Sequence, residues 1–367
     1  MRFHAKACAL LALALVLLAT PSFKASAEDT SINDMARFLA GLPPSAGSPL
    51  EALTARRSWK AHAGRFDKEW ANLEKRQLSK IRKWRTNAIG ERKPVVFYMF
   101  SGPDFLYADT FLPGAKTYVL SGLEPVGSIP TVDGLKRNSL YGELRQLEAS
   151  LNTIVSFSFF RTKDMKHQLR SRYLDGTIPI ILLFMARTGK TVHTIDLIAL
   201  DKEGAVHNAG EPDLPKTAEG VKITFSNEGS DEKSTLYYFS TNLDNGGVDA
   251  SGFLPFCSKL APGDGIVKSA SYLMHMSAFS KVRDFILANT STLIEDDSGI
   301  PLRHFDAGKW NLQPYGVYLK PISLFPNRYQ TDMRKLFKQH AKPIPFGIGY
   351  RHRQRESNLL VATKKGN

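Results

Sequence analysis

The stretch Lys93-Pro94-Val95-Val96-Phe97-Tyr98-Met99-Phe100-Ser101-Gly102-Pro103-Asp104-Phe105 decides how this chain is read. Pro94–Phe100 is an apolar run of strand length. Ser101-Gly102-Pro103-Asp104 breaks it, and Phe105–Leu112 reads as a short helix with Pro103 in its first turn. Pro113-Gly114 stops that helix. Thr117–Leu123 is then a second strand, closed by Glu124-Pro125. Strand, helix and strand in succession are the repeating unit of an α/β sheet.

Downstream the alternation continues. Leu140, Leu144, Leu147 and Leu151 repeat at four, three and four, which predicts a helix. Val155, Phe157 and Phe159 alternate with serines as a strand would, and Met165, Leu169 and Tyr173 mark another helix face. Ile178–Ala186, interrupted only by Pro179, reads as a strand covered on both sides. Thr191–Leu200, Val221–Ser226 and Leu236–Ser240 follow without an intervening helix, the pattern of antiparallel hairpins. A helix is expected over Lys268–Ala288, strands at Thr292–Glu295 and Tyr315–Phe325, a helix at Tyr329–Gln339, and short strands at Ile344–Tyr350 and Leu359–Ala362.

Upstream, residues 28–57 are small, polar and punctuated by Leu42-Pro43-Pro44-Ser45 and Ser48-Pro49. Trp59, Ala63, Phe66, Trp70, Leu73, Ile81 and Trp84 then form one helical stripe, with Gln77 as its polar interruption. A stripe this continuous is read as packing rather than as a carbohydrate or membrane platform. The expected fold is therefore α/β: a Rossmann-like, mostly parallel sheet with an antiparallel extension over residues 94–367, preceded by an N-terminal helical segment over residues 28–93.

Residues 1–27 read as a signal peptide. Arg2 and Lys6 precede the apolar run Ala7–Leu18, Pro21 ends it, and Ala25-Ser26-Ala27 supplies the small-x-small exit, with cleavage expected after Ala27. The run is short for a span, which needs about 20 residues. Cys8 sits inside the run, not after it, so it does not mark a lipid-modified exit. The expected location is secreted or periplasmic.

The chain is 367 residues long, with 49 Lys+Arg against 35 Asp+Glu, 43% apolar residues and two cysteines. That composition excludes a disordered chain and a disulfide scaffold. Losing Arg2, Lys6 and Lys24 with the leader lowers the formal charge from +14 to +11. The charge is concentrated at the ends. Residues 56–93 hold thirteen Lys/Arg and four acids, residues 328–367 hold ten and two, and the rest of the mature chain is at −6. Cys257, in Phe253-Leu254-Pro255-Phe256-Cys257, is read as a buried hydrophobe.

The site expected from the sequence lies at the first strand–helix junction, because open α/β sheets bind ligands outside the carboxyl ends of their strands. Its candidate residues are Ser101, Gly102, Asp104 and Glu124. The layout resembles the opening half of a nucleotide-binding Rossmann unit, class I methyltransferases included: strand, glycine-containing turn, helix, strand with a terminal acid. The resemblance spans about 30 residues and implies a nucleotide against the turn. Gly102 stands alone, however, where the phosphate fingerprint uses three glycines, and Asp104 brings negative charge to the helix start. Asp104 and Glu124 suit a hydroxyl, amine or cation.

Asp296, Asp297, His304 and Asp306 make a second acid–histidine cluster. Thr188-Gly189-Lys190-Thr191 looks like the end of a phosphate loop, but Phe184 occupies the glycine position, so it is read as a hairpin turn. A hairpin about Lys202-Glu203-Gly204 sets His207 near Ile198 and away from His193. Asp244–Asp249 is one incomplete calcium-loop pattern. Neither G-x-S-x-G nor H-E-x-x-H occurs.

The functional expectation is a non-catalytic binding or accessory protein that takes a small polar ligand. The alternatives are a hydrolase using carboxylates at Asp104/Glu124 or Asp296/Asp297, and a protein that meets an anionic envelope surface through its basic ends. The sequence predicts no cofactor, no metal, no nucleic-acid partner, and no membrane span after cleavage.

Overall fold

The computed structural model describes residues 27–136, 140–157, 173–212 and 216–366. The signal peptide expected over residues 1–27 lies outside them except for Ala27, as do Phe159, Met165 and Leu169. No helix among the described residues is long and apolar enough to cross a membrane.

Among the described residues ten strands form one sheet: β1 (Val95–Tyr98), β2 (Thr117–Gly122), β3 (Lys190–Leu200), β4 (Val206–Asn208), β5 (Ala218–Asn227), β6 (Lys233–Ser240), β7 (Gly263–Val267), β8 (Thr290–Glu295), β9 (Trp310–Gly316) and β10 (Asn358–Lys364). Their order is β4-β3-β5-β6-β2-β1-β7-β8-β10-β9. Four of the nine pairings are parallel and five antiparallel. The sheet is therefore mixed and leans antiparallel, which corrects the mostly parallel expectation. Only the centre, β6-β2-β1-β7-β8, is parallel, and antiparallel strands extend it at both edges. From β1 the chain moves outward through β2 to β6, then returns to lay β7 on the other side of β1. The strand order thus reverses between β1 and β7.

Alternation along β1 divides the core. Val96 and Tyr98 face a large cluster capped by the Ala27–Leu39, Arg57–Leu73, Ser79–Ala88, Phe105–Phe111 and Ile178–Arg187 helices. Val95 and Phe97 face a second cluster, under the Asn245–Ala250, Phe253–Ser258 and Ser280–Asn289 helices. The helices within residues 28–93 pack into the same core as the sheet. Cys257 is buried on the second face, where burial raises its thiol pKa.

Several elements differ from expectation. Ile178–Arg187 is a helix, buried along Ile178–Ala186 among the Ala27–Leu39 and Phe105–Phe111 helices and β3. A run that is apolar on every side carries no period, so it fits either element; Pro179 in the first turn is the local mark of the helix. Gly189, at φ +70°, turns that helix into β3, so Thr188–Thr191 is a helix-to-strand turn, not a hairpin. The stretch read as small and polar over residues 28–57 opens with most of the Ala27–Leu39 helix, which buries Met35, Phe38 and Leu39. Val155 and Phe157 belong to the Leu140–Phe157 helix.

The strand expected to run to Phe325 ends at Gly316. There φ is +85°, and a Cβ would stand 2.1 Å from the Ser357 carbonyl oxygen. Residues 344–350 form no regular strand. The expected Lys268–Ala288 helix begins only at Ser280. Strand β7 had no reading in the sequence, because Gly263-Asp264-Gly265 has low strand propensity. Its Asp264 carboxylate accepts from the backbone N–H of Lys93 (2.9 Å) and of Thr292 (3.1 Å), tying the strand to both neighbours.

The tryptophan stripe is core: Trp59, Phe66, Leu73, Ile81 and Trp84 are buried. Its helix carries a π turn at Glu74–Leu78 that brings Gln77 and Leu78 inward together. The Gln77 side chain donates to the Gly347 carbonyl and accepts from the Tyr107 hydroxyl at 2.6 Å. Gln77→Ala removes both bonds and should lower unfolding stability by about 1–3 kcal/mol. Urea unfolding would check this, as a lower midpoint at unchanged slope.

Candidate functional site

Asp104 and Lys268 meet beneath the point where strand order reverses. Lys268 Nζ lies 3.0 Å from Asp104 Oδ2, with side-chain exposures of 3% and 1%. Asp104 also accepts from the Tyr98 hydroxyl (2.8 Å) and from the backbone N–H of Tyr107 (3.1 Å), so it caps the Phe105–Phe111 helix. Lys268 Nζ stands 4.5 Å from the centre of the Tyr107 ring. Burial raises the Asp104 pKa, while Lys268 and Tyr98 pull it back. This charged pair locks the end of β1 to the end of β7.

Above it opens a cleft of about 640 Å³. Its walls are the loops that follow β1 (Phe100, Ser101, Gly102), β2 (Gly122, Leu123, Glu124), β6 (Thr241, Asn242, Leu243) and β7 (Ser269, Ala270, Ser271), together with Phe325 and Tyr350. Ser101, Gly102 and Glu124 of the expected site line it; Asp104 is not in the lining.

Glu124 is buried against two glycines. A Cβ on Gly122 would lie 2.2 Å from Glu124 Oε2, and one on Gly102 3.2 Å from the same atom. The Ser101 and Gly102 N–H groups both donate to the Ser121 carbonyl, at 3.0 and 3.1 Å.

Four non-glycine residues among those described have left-handed backbone: Phe100, Ser269, Ser271 and Tyr272. All four lie on the loops after β1 and β7. Side chains from elsewhere hold the second loop in this costly conformation. The Ser269 N–H donates to Asp296 (3.0 Å), that of Ala270 to Ser298 Oγ (2.9 Å), and that of Ser271 to the Tyr350 hydroxyl (3.0 Å). The Tyr350 hydroxyl donates to the Ser269 carbonyl at 2.9 Å. The Ser269 Oγ, at the cleft, is buried without a hydrogen-bond partner.

Of the second expected cluster, Asp296 and Asp297 follow β8, both buried behind the Ser269–Tyr272 loop. Asp297 accepts from the Tyr272 hydroxyl (2.6 Å) and the Asn358 amide (3.1 Å). His304 lies apart from them, in the field of Arg283, Arg303 and Asp284. Asp306 accepts from the Gly308 N–H in an exposed turn. The structure brings together the two aspartates and disperses the other two residues.

His207 pairs with Asp201 (2.8 Å) opposite Ala199, while His193 bonds Ser226. Asp244 caps a short helix, and Asp249 pairs with Lys281. Among the described residues, no group of three or more histidine, cysteine or acid side chains is arranged to hold a metal. Lys268, Ser269, Ser271 and Tyr350 carried no site signal in the sequence. Strand β7, which precedes three of them, is too glycine-rich to announce itself, and Tyr350 arrives from a distant loop.

No family model, curated protein or solved structure matches this chain.

Two predictions follow from the buried charges. Lys268→Met leaves Asp104 without its counter-ion and should cost about 3–5 kcal/mol, with part of the loss recovered when Asp104→Asn is added. Urea unfolding of the single and double variants would measure it.

The second concerns pH. Burial, and then Asp296, push the Asp297 pKa up to about 6. Between about pH 4 and 6 the folded protein holds a proton there that the unfolded chain releases, so this contribution falls as pH rises. Burial pushes His275 down to about 4 from 6.5, so its contribution falls as pH drops through the same window. The two oppose. Asp297→Asn removes the first, so stability should then rise with pH across this window more steeply than in the wild type. An unchanged slope would sink the assignment.

Proposed function

We propose that this protein binds a small amphipathic ligand in the cleft at the ends of its central strands, and that it is a binding or accessory protein, not a catalyst. The observation that carries this reading is the clustering of left-handed, non-glycine backbone on the two loops at one cleft: Phe100, Ser269 and Ser271 line it, and Tyr272 follows directly, buried behind the wall. Strain of this kind persists only where the surroundings over-determine it, and it gathers at ligand sites. The position agrees with the rule for open α/β sheets, so the parallel centre serves in the manner of a Rossmann-like fold even though the sheet edges do not.

The lining sets the chemistry. Glu124 and the Ser269 hydroxyl favour a hydroxyl or amine group. Phe100, Phe279 and Phe325 supply an apolar wall, and Leu123 and Leu324 stand 54% and 79% exposed at the mouth. Among the described lining residues Glu124 is the sole carboxylate, and neither histidine nor cysteine joins it. Paired-carboxylate hydrolysis draws no support from that lining. The leader-like residues 1–27 favour export to the periplasm or beyond.

Tyramine and octyl glucoside below its micelle concentration are suitable probes, each with a polar head and an apolar tail. At least one should raise the Tm of the wild-type protein, and Glu124→Gln with Ser269→Ala should abolish the shift. No shift with either probe, or equal shifts in both proteins, argues against the reading.

A further inference from the structure

The two basic ends of the chain, separated by more than two hundred residues, come together in the fold. The π turn Glu74–Leu78 packs against the segment around Phe346–Gln354: Gln77 bonds the Gly347 carbonyl, and the Trp84 ring meets that of Phe346 edge-on at 5.5 Å. Between them lies a hollow of about 240 Å³. Arg76 and Lys80 line it from one side, His352 and Arg353 from the other, beside Gln77 and Gln354, whose amides also donate to the Gly347 and Ile344 carbonyls. No carboxylate lines it among the described residues. Glu356 stands behind, 3.8 Å from Arg353 and 3.7 Å from Arg351, and the Arg353 side chain is 77% exposed.

Two of the cations act on a common point. His352 is held below its ordinary pKa by burial first, then by Arg353 and Arg76, with Glu356 opposing. Two like charges from opposite ends of the sequence therefore converge on one ring. Like charges brought together in a concave site raise the local concentration of anions.

We propose that this hollow binds a phosphate group. Its volume is below the range of about 300–1,000 Å³ typical of sites for whole drug-sized ligands, which points to a single small group. Three cations approach from two opposing walls, Arg76 and Lys80 from one and Arg353 from the other, with side-chain amides beside them. That arrangement suits a tetrahedral dianion with several acceptor oxygens, whereas a planar carboxylate is met by one guanidinium fork. The phosphate is either a free ion or the headgroup of an anionic lipid.

The test uses the full chain, ring-labelled at histidine, at low ionic strength. Inorganic phosphate should shift the His352 resonances saturably and raise the titration midpoint of that ring, since a bound anion favours imidazolium. Lys80→Gln with Arg353→Gln, one change at a half-buried and one at an exposed side chain, both checked for unaltered circular dichroism, should weaken binding by about tenfold or more. If the source is a lipid headgroup, phosphatidylglycerol vesicles bind the wild type, lose the double variant, and are displaced by phosphate. If it is the free ion, the vesicles do not bind and the phosphate response stands alone. No saturable response at His352 to either probe, or affinity unchanged in the double variant, overturns the proposal.

Discussion

The Asp104–Lys268 pair is the constraint on which the middle of this molecule depends. Each charge is almost wholly removed from water, which is unfavourable unless both are present and further hydrogen bonds complete their shells. Tyr98, the Tyr107 N–H and the Tyr107 ring complete them. The pair also has topological meaning. Asp104 follows β1 and Lys268 follows β7, so the contact joins the two strands between which the sheet reverses its order. Any register error there separates the charges, and the penalty selects the native pairing.

The cleft follows from that lock. Once β1 and β7 are side by side, the loops leaving them must diverge, and Phe100, Ser269 and Ser271, three of their left-handed residues, line the opening between them. The second loop is held by backbone N–H bonds to Asp296, Ser298 and Tyr350, none of which is its sequence neighbour. Polar groups that would otherwise be buried at a cost become the clamps of a shaped surface. Close approach of backbone at Gly102 and Gly122 leaves room for Glu124.

The basic seam arises from a different device. A π turn places one extra residue inward, and that residue, Gln77, is the polar side chain that receives the distant carboxyl-terminal segment. One local irregularity thus decides where two basic tracts meet, and it does so through a hydrogen bond and an aromatic edge rather than through the charges, which repel. A repulsion accepted in the folded state needs such an anchor.

Much was legible from residue order alone. The Val95–Tyr98 strand, the Phe105–Phe111 helix, the β3, β5 and β6 strands and the tryptophan stripe all carry strong local periods, and local periods survive without knowledge of partners. Ser101, Gly102 and Glu124 were legible as positions at the strand ends, where the cleft opens, because turn chemistry and strand ends are local as well. Ile178–Arg187 was not, because a segment buried on all sides has no polar face to report its period. Strand β7 was not, because its strand form is imposed by β1 and β8 through Asp264 against weak propensity. The sequence by itself determined the α/β class, the alternation of its central strands and the uneven charge. Tertiary structure alone decided the antiparallel edges, the Asp104–Lys268 pair, the Ser269–Tyr350 wall and the meeting of the basic ends. Each of those is a contact across long sequence separation, and neither propensity nor spacing encodes which distant groups will satisfy one another.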